Sequence, residues 1–114
     1  MRLFDNLYLA SGTGNFAVSQ PVDMGENNSL TVTATMVVGG SAPTLTIEGS
    51  NDLAIWTSND INSGTATLTL AAAPSFAAGT FKTIGYKYAR VKMGGGAAAV
   101  IINVDAHPQK FWVS

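Results

Sequence analysis

Apolar and polar residues alternate with a period of two along several short segments of this chain. The clearest run spans residues 30–37, in which every second residue is apolar and three of the others are Thr. Alternation of this kind, in segments rich in Thr and Val, indicates strands with one buried face. The same pattern predicts strands over residues 44–48 and 65–70.

Less regular patterns predict further short strands. These are expected over residues 7–10, 16–22 and 53–57. The Ala-rich residues 71–79 are predicted to be a connection, because Pro74 lies in the middle of the run and the segment is too short to nucleate a helix.

The second half of the chain is expected to form a long hairpin. The longest strand is predicted over residues 81–93, followed by a tight turn at Gly94, Gly95 and Gly96. A return strand over residues 97–104 is then expected, with His107-Pro108 ending the ladder.

About eight strands with Gly, Asn and Pro turns, and no convincing helix, predict an all-β fold. The pattern is typical of an antiparallel β-sandwich or jelly roll. Residues 1–108 are expected to form this single domain. Residues 109–114 then remain as a C-terminal aromatic tail.

The composition changes this picture in one respect, because charged residues make up only 11 % of the 114 residues. Globular proteins average about 25 %, and protein interfaces are depleted in charge, so the deficit favours burial of surface in an assembly.

The net charge of −1 gives no electrostatic basis for binding nucleic acid or an anionic membrane. Asp5 interrupts the first apolar residues, so no signal peptide is predicted.

A polar turn, Gly-Ser-Asn-Asp, is predicted to be the corner around which the fold is organised. Gly49 is expected to take a positive φ, while Ser50 and Asp52 can hydrogen-bond to the backbone of the turn. Trp56 is expected to anchor the corner in the core. Asp52 and Glu48 have an alternative role as Ca²⁺ ligands, but the sequence offers them no partners, so no metal site is predicted.

Two segments resemble a known family. LTIEGSNDLAIW, residues 45–56, resembles the strand–turn–Trp signature of discoidin-like domains, the coagulation factor 5/8 type C family. YKYARVKM, residues 86–93, is similar to a later strand of the same fold, with Tyr88, Arg90 and Val91 in matching positions. The resemblance implies a jelly-roll sandwich. Its compact, Thr-rich form is similar to modules of tailed-phage virion proteins, which serve as head-decoration, cement or tail-surface domains.

No group of residues predicts catalysis. His107 is the single histidine and the chain has no cysteine, so neither a metal centre nor a nucleophile–histidine arrangement is expected. No cofactor is expected either.

Two sets of residues are candidates for binding. Alternation places Tyr86, Tyr88 and Arg90 on one strand face. This face is either a solvated or interfacial surface, with Tyr rings packed beneath cationic stems, or a platform on which nucleobases or sugars stack. Phe111 and Trp112 form the second set. They are expected either to fold back onto their own sandwich or to contact a neighbouring subunit.

The leading hypothesis from the sequence is a non-enzymatic structural protein of a phage or virus-like particle. It would assemble in the host cytoplasm into the virion, as a homo-oligomer or with capsid or tail proteins. The alternative is a carbohydrate-binding β-sandwich module with a glycan as its partner. Neither nucleic acid nor a membrane is an expected partner.

Overall fold

The computed structural model describes residues 1–12, 16–39, 43–82, 84–94 and 99–110. Within these residues, nine strands form two antiparallel sheets, and one 3₁₀ helix lies in a connection between strands. The strands are β1 (Arg2–Leu9), β2 (Phe16–Val18), β3 (Val22–Asp23), β4 (Ser29–Val38), β5 (Thr44–Ser50), β6 (Thr67–Thr69), β7 (Ser75–Phe81), β8 (Tyr88–Gly94) and β9 (Val100–Gln109), and the helix is Ile61–Gly64. The all-β antiparallel sandwich predicted from the sequence is confirmed.

The chain moves back and forth between the two sheets. The first sheet has the strand order β1-β9-β4-β7, and the second has β2-β8-β5-β6 with β3 also paired to β8. Among the described strands, only β5 and β6 are both consecutive in sequence and paired with each other. Most of the pairing is therefore non-local.

The core lies between the sheets. It is formed mainly by the buried alternate residues of the longer strands, with Met24, Leu70 and Ile84 added from the connections. On β4 the buried residues are those predicted from the alternation, and the Thr residues between them face outward. Strands β5, β8 and β9 supply the same kind of alternating face. The largest buried side chains include Leu30, Met36, Leu45, Ile47, Met93 and Ile102.

The predicted hairpin at Gly94, Gly95 and Gly96 is wrong. Gly95 and Gly96 lie outside the described residues, but β8 ends at Gly94 in the second sheet and β9 begins at Val100 in the first. The connection therefore crosses between sheets, because β8 pairs with β5 while β9 pairs with β1 and β4.

Residues 71–79 are not only a connection, because Ser75–Phe81 forms β7. Ala and Gly have low β-propensity and hide the alternation, yet seven residues pair in unbroken register with β4, from Ser75 opposite Met36 to Phe81 opposite Leu30. Pro74 precedes the strand. Pairing with β4 thus imposes the extended conformation on a weak local sequence.

Two other predicted strands are shorter or absent. The long strand over residues 81–93 is wrong, since Phe81 ends β7 and β8 begins only at Tyr88. Residues 53–57 do not form a strand: residues 53 and 54 are bends, residues 55 and 56 have no regular structure, and Thr57 makes an isolated bridge to Gly49.

Strand β9 continues through His107 and Pro108, which were expected to end the ladder. β1 begins at Arg2, opposite Asp105. The Ala106 N–H still donates to the Met1 carbonyl at 2.8 Å, and no described residue lies farther along that side of β9. The missing N–H of Pro108 therefore removes no bond to β1. The strand therefore includes Gln109, the first residue of the predicted tail.

Candidate functional site

The corner after β5 is held by Ser50 and Asp52. The buried Ser50 Oγ accepts from the backbone N–H groups of Asp52 and Leu53 at 3.2 and 3.0 Å, and donates to Asp52 Oδ1 at 2.9 Å. Asp52 Oδ1 also accepts from the N–H groups of Ala54 and Ile55 at 2.9 and 3.0 Å. These bonds, that from Ile55 above all, lower the pKa of the Asp52 carboxyl. The carboxylate therefore caps its own turn.

Gly49 serves the corner differently from the prediction. Gly49 lies within β5 and does not have a positive φ. The residue with a positive φ in this turn is Leu53, at 64°. A Cβ at Gly49 would lie 2.8 Å from Tyr86 Cγ, so the glycine makes room for the tyrosine ring. The Tyr86 hydroxyl donates to both carboxylate oxygens of Asp60, at 2.9 and 3.0 Å, and this bond raises the pKa of Tyr86.

Trp56 does not anchor the corner in the core. Its side chain is only half-buried, and the Arg90 guanidinium carbon lies 4.3 Å from the centre of its ring. Arg90 Nε also donates to Glu48 Oε1 at 2.8 Å across the β5–β8 pair. Trp56 is therefore held by a cation–π contact with an arginine that a carboxylate fixes in place.

Tyr88 and Arg90 share the outer face of the second sheet, as the alternation predicts, and Lys92 joins them. The Lys92 amine lies 4.7 Å from the centre of the Phe16 ring. Tyr86 was expected on the same face, and this placement is wrong, because Tyr86 precedes β8 and packs over Gly49. The arginine and the lysine of this face are both engaged with aromatic rings.

The outer face of the first sheet is poor in charge. Its middle is a column of Thr31, Thr33 and Thr35 on β4. The facing residues are His107, Asp105 and Asn103 on β9, and Thr80, Ala78 and Phe76 on β7. An ion pair from Arg2 Nε to Asp105 Oδ1, at 3.0 Å, lies on the β1 side.

At the other end of the same outer face, away from β1, the strands β4 and β7 carry no charged residue. Phe76 is 67 % exposed there, the most exposed aromatic side chain of the described residues. The prediction of a connection over residues 71–79 leaves Phe76 without a role. The run Phe-Ala-Ala-Gly-Thr-Phe did contain the signal, since Phe76, Ala78 and Thr80 share one parity.

Other features of the described residues bear on possible chemistry. No three His, Cys, Asp or Glu side chains among them come together as a metal-binding group, and no pocket opens in the part of the chain that the structure describes. None of the described segments is a helix long and apolar enough to cross a membrane. Phe111 and Trp112 lie outside the described residues.

Comparison of the chain with protein-family models, with curated proteins and with solved structures found no match. The candidate site is thus defined by the geometry alone. It has two parts. The first is the uncharged outer face formed by β4 and β7. The second is the pair of cation–aromatic contacts on the second sheet, Arg90 with Trp56 and Lys92 with Phe16.

Proposed function

We propose that this chain is a non-enzymatic structural protein that assembles through its charge-poor surface. The observation that supports the proposal is the uncharged outer face of β4 and β7, with Phe76 67 % exposed on it. Interface cores are depleted in charge and enriched in aromatic residues.

In this proposal, the chain assembles into a phage or virus-like particle. The resemblance of residues 45–56 and 86–93 to discoidin-like sandwiches, in the compact form of phage virion modules, supports this placement. The partners are then further copies of the chain and capsid or tail proteins. The chain would act as a decoration, cement or tail-surface component.

The carbohydrate-binding alternative has weaker support from the geometry. Tyr88 on β8 and Trp56, which contacts Arg90 on the same face of the second sheet, are half-buried, so part of each side chain remains accessible. Arg90, however, is fixed to Glu48 and stacks on the Trp56 ring, and Tyr86 is held by Asp60. A sugar would have to displace Arg90 to use that ring face.

Three measurements test the proposal against its alternative. Mass spectrometry of virus-like particles purified from the cell that encodes the chain is expected to find it in many copies per particle, and sedimentation of the pure chain is expected to show self-association. A glycan array is expected to give no signal. Absence from the particles overturns the proposal, and a monomer that binds glycans replaces it with the alternative.

A further inference from the structure

The edges of the two sheets differ in how they are protected against pairing with another strand. Short strands, charges, prolines and bulges are the usual protections. β1 has two register shifts against β9 and carries Arg2 and Asp5. β2 and β6 are three residues long. These three edges offer little to a further strand.

The fourth edge, β7, has none of these protections. It is seven residues long, runs in unbroken register with β4, and contains neither charge nor proline. No described segment pairs with its second side. Because an antiparallel strand directs alternate N–H and C=O groups to its two sides, β7 presents a row of unpaired backbone groups to an incoming strand.

The sequence of β7 also fits a second copy of itself. In an antiparallel pair centred on Ala78, Phe76 of one copy lies opposite Thr80 of the other, and Ala78 lies opposite Ala78. On the inner side Ala77 lies opposite Gly79, so little bulk separates the two cores. No pair sets like charges against each other, and aromatic–β-branched pairs are favourable across strands.

We infer that β7 is a self-pairing edge, which joins two copies of the chain about a two-fold axis at Ala78. Two four-stranded sheets then become one continuous eight-stranded sheet, and the two outer faces with Phe76 become one surface. The contact is isologous, as two-fold dimers require. The inference rests on the proposed function and deepens it by naming the first partner as a second copy.

Cysteine cross-linking tests the register directly, because the chain has no cysteine of its own. Residues opposite each other have Cβ atoms about 5 Å apart, near the range that a disulfide spans. Ala78→Cys is therefore expected to form a covalent dimer on mild oxidation. The matched control is Thr80→Cys on the same exposed face, whose two copies would lie about 13 Å apart along the strand and are expected to stay unlinked.

A mixture sharpens this test. Phe76→Cys and Thr80→Cys are expected to cross-link when combined and to form no covalent dimer when each is oxidised alone. Equal cross-linking of Ala78→Cys and Thr80→Cys overturns the inferred register, and no cross-linking of any variant overturns the self-pairing.

Sedimentation of charge variants gives a second, independent test. Ala78→Lys sets two lysines against each other at the axis, so the dimer dissociation constant is expected to rise roughly tenfold or more. Tyr8→Lys adds the same charge to the exposed face of β1 and is expected to leave it unchanged. If Ala78→Lys associates like the wild type, β7 is not the interface. The chain's presence in particles decides the proposed function separately.

Discussion

Gly49 shows how one missing side chain positions an aromatic ring at the corner. Gly49→Ala is expected to lower the free energy of unfolding by about 2 kcal/mol, because its Cβ would overlap the Tyr86 ring. The matched control is Gly85→Ala, which meets no heavy atom within 4 Å and is expected to change stability by less than about 0.5 kcal/mol. Urea unfolding measures both. Equal effects of the two variants would contradict the close approach.

A background variant separates overlap from backbone strain at the same position. In a Tyr86→Ala chain the ring is gone, so Gly49→Ala is expected to cost clearly less than in the wild type. Such non-additivity is the signature of direct contact. An unchanged cost would instead assign the effect to the backbone of β5.

At the corner, the sequence predicts the local contacts and misses the distant ones. Ser50 and Asp52 bind backbone groups two or three residues away, and turn chemistry of this range can be read from residue types. The contacts of Trp56 and Glu48 depend on Arg90, which lies 42 residues from Glu48. Only the pairing of β5 with β8 brings Arg90 there, and periodicity does not reveal which strands pair.

Among the elements, the strongly alternating strands are predictable and the weakly patterned ones are not. β4 and β5 follow their alternation closely. β7 consists largely of Ala, Gly and Ser, and its extended form comes from β4 beside it. β1 was predicted only in its second half, because two register shifts interrupt its period.

The end of β9 is the element whose boundary is most directly testable. The Gln109 carbonyl accepts from Asn28 N and Ser29 Oγ, both at 3.1 Å, and its side-chain Oε1 accepts from Thr31 Oγ1 at 3.1 Å. A chain ending after Pro108 is expected to be less stable than one ending after Lys110 by about 2 kcal/mol, since it lacks these three bonds.

Thermal and urea unfolding of the two truncated chains make this comparison, because both lack residues 111–114. Gln109→Ala in the longer chain removes only the side-chain bond and is expected to cost about 0.5–1 kcal/mol. Equal stability of the two truncations would place the end of the strand at Pro108, where the sequence predicts it.

For the whole molecule, strand order and charge distribution together determine which surfaces remain for assembly. Because the chain alternates between sheets, strands distant in sequence meet. The described strands leave four edges, of which β7 alone is long and in unbroken register with its neighbour. The described ion pairs of Arg2 and Arg90 lie away from this edge, with β1 and with β5 and β8. Association through β7 would therefore involve no ionic contact between the two copies.

The absence of charge at this edge predicts a weak response to salt. Raising NaCl from about 0.05 to 0.5 M shortens the Debye length severalfold but leaves backbone hydrogen bonds and apolar contacts in place. The wild-type dimer dissociation constant is expected to change by less than about threefold, because no ionic contact is screened. Ala78→Lys is expected to associate more tightly as salt rises, since screening relieves the repulsion between its two lysines. Sedimentation velocity at several salt concentrations measures both, and a wild-type dimer that weakens about tenfold would move the interface to a charged surface such as that of Arg90 and Lys92.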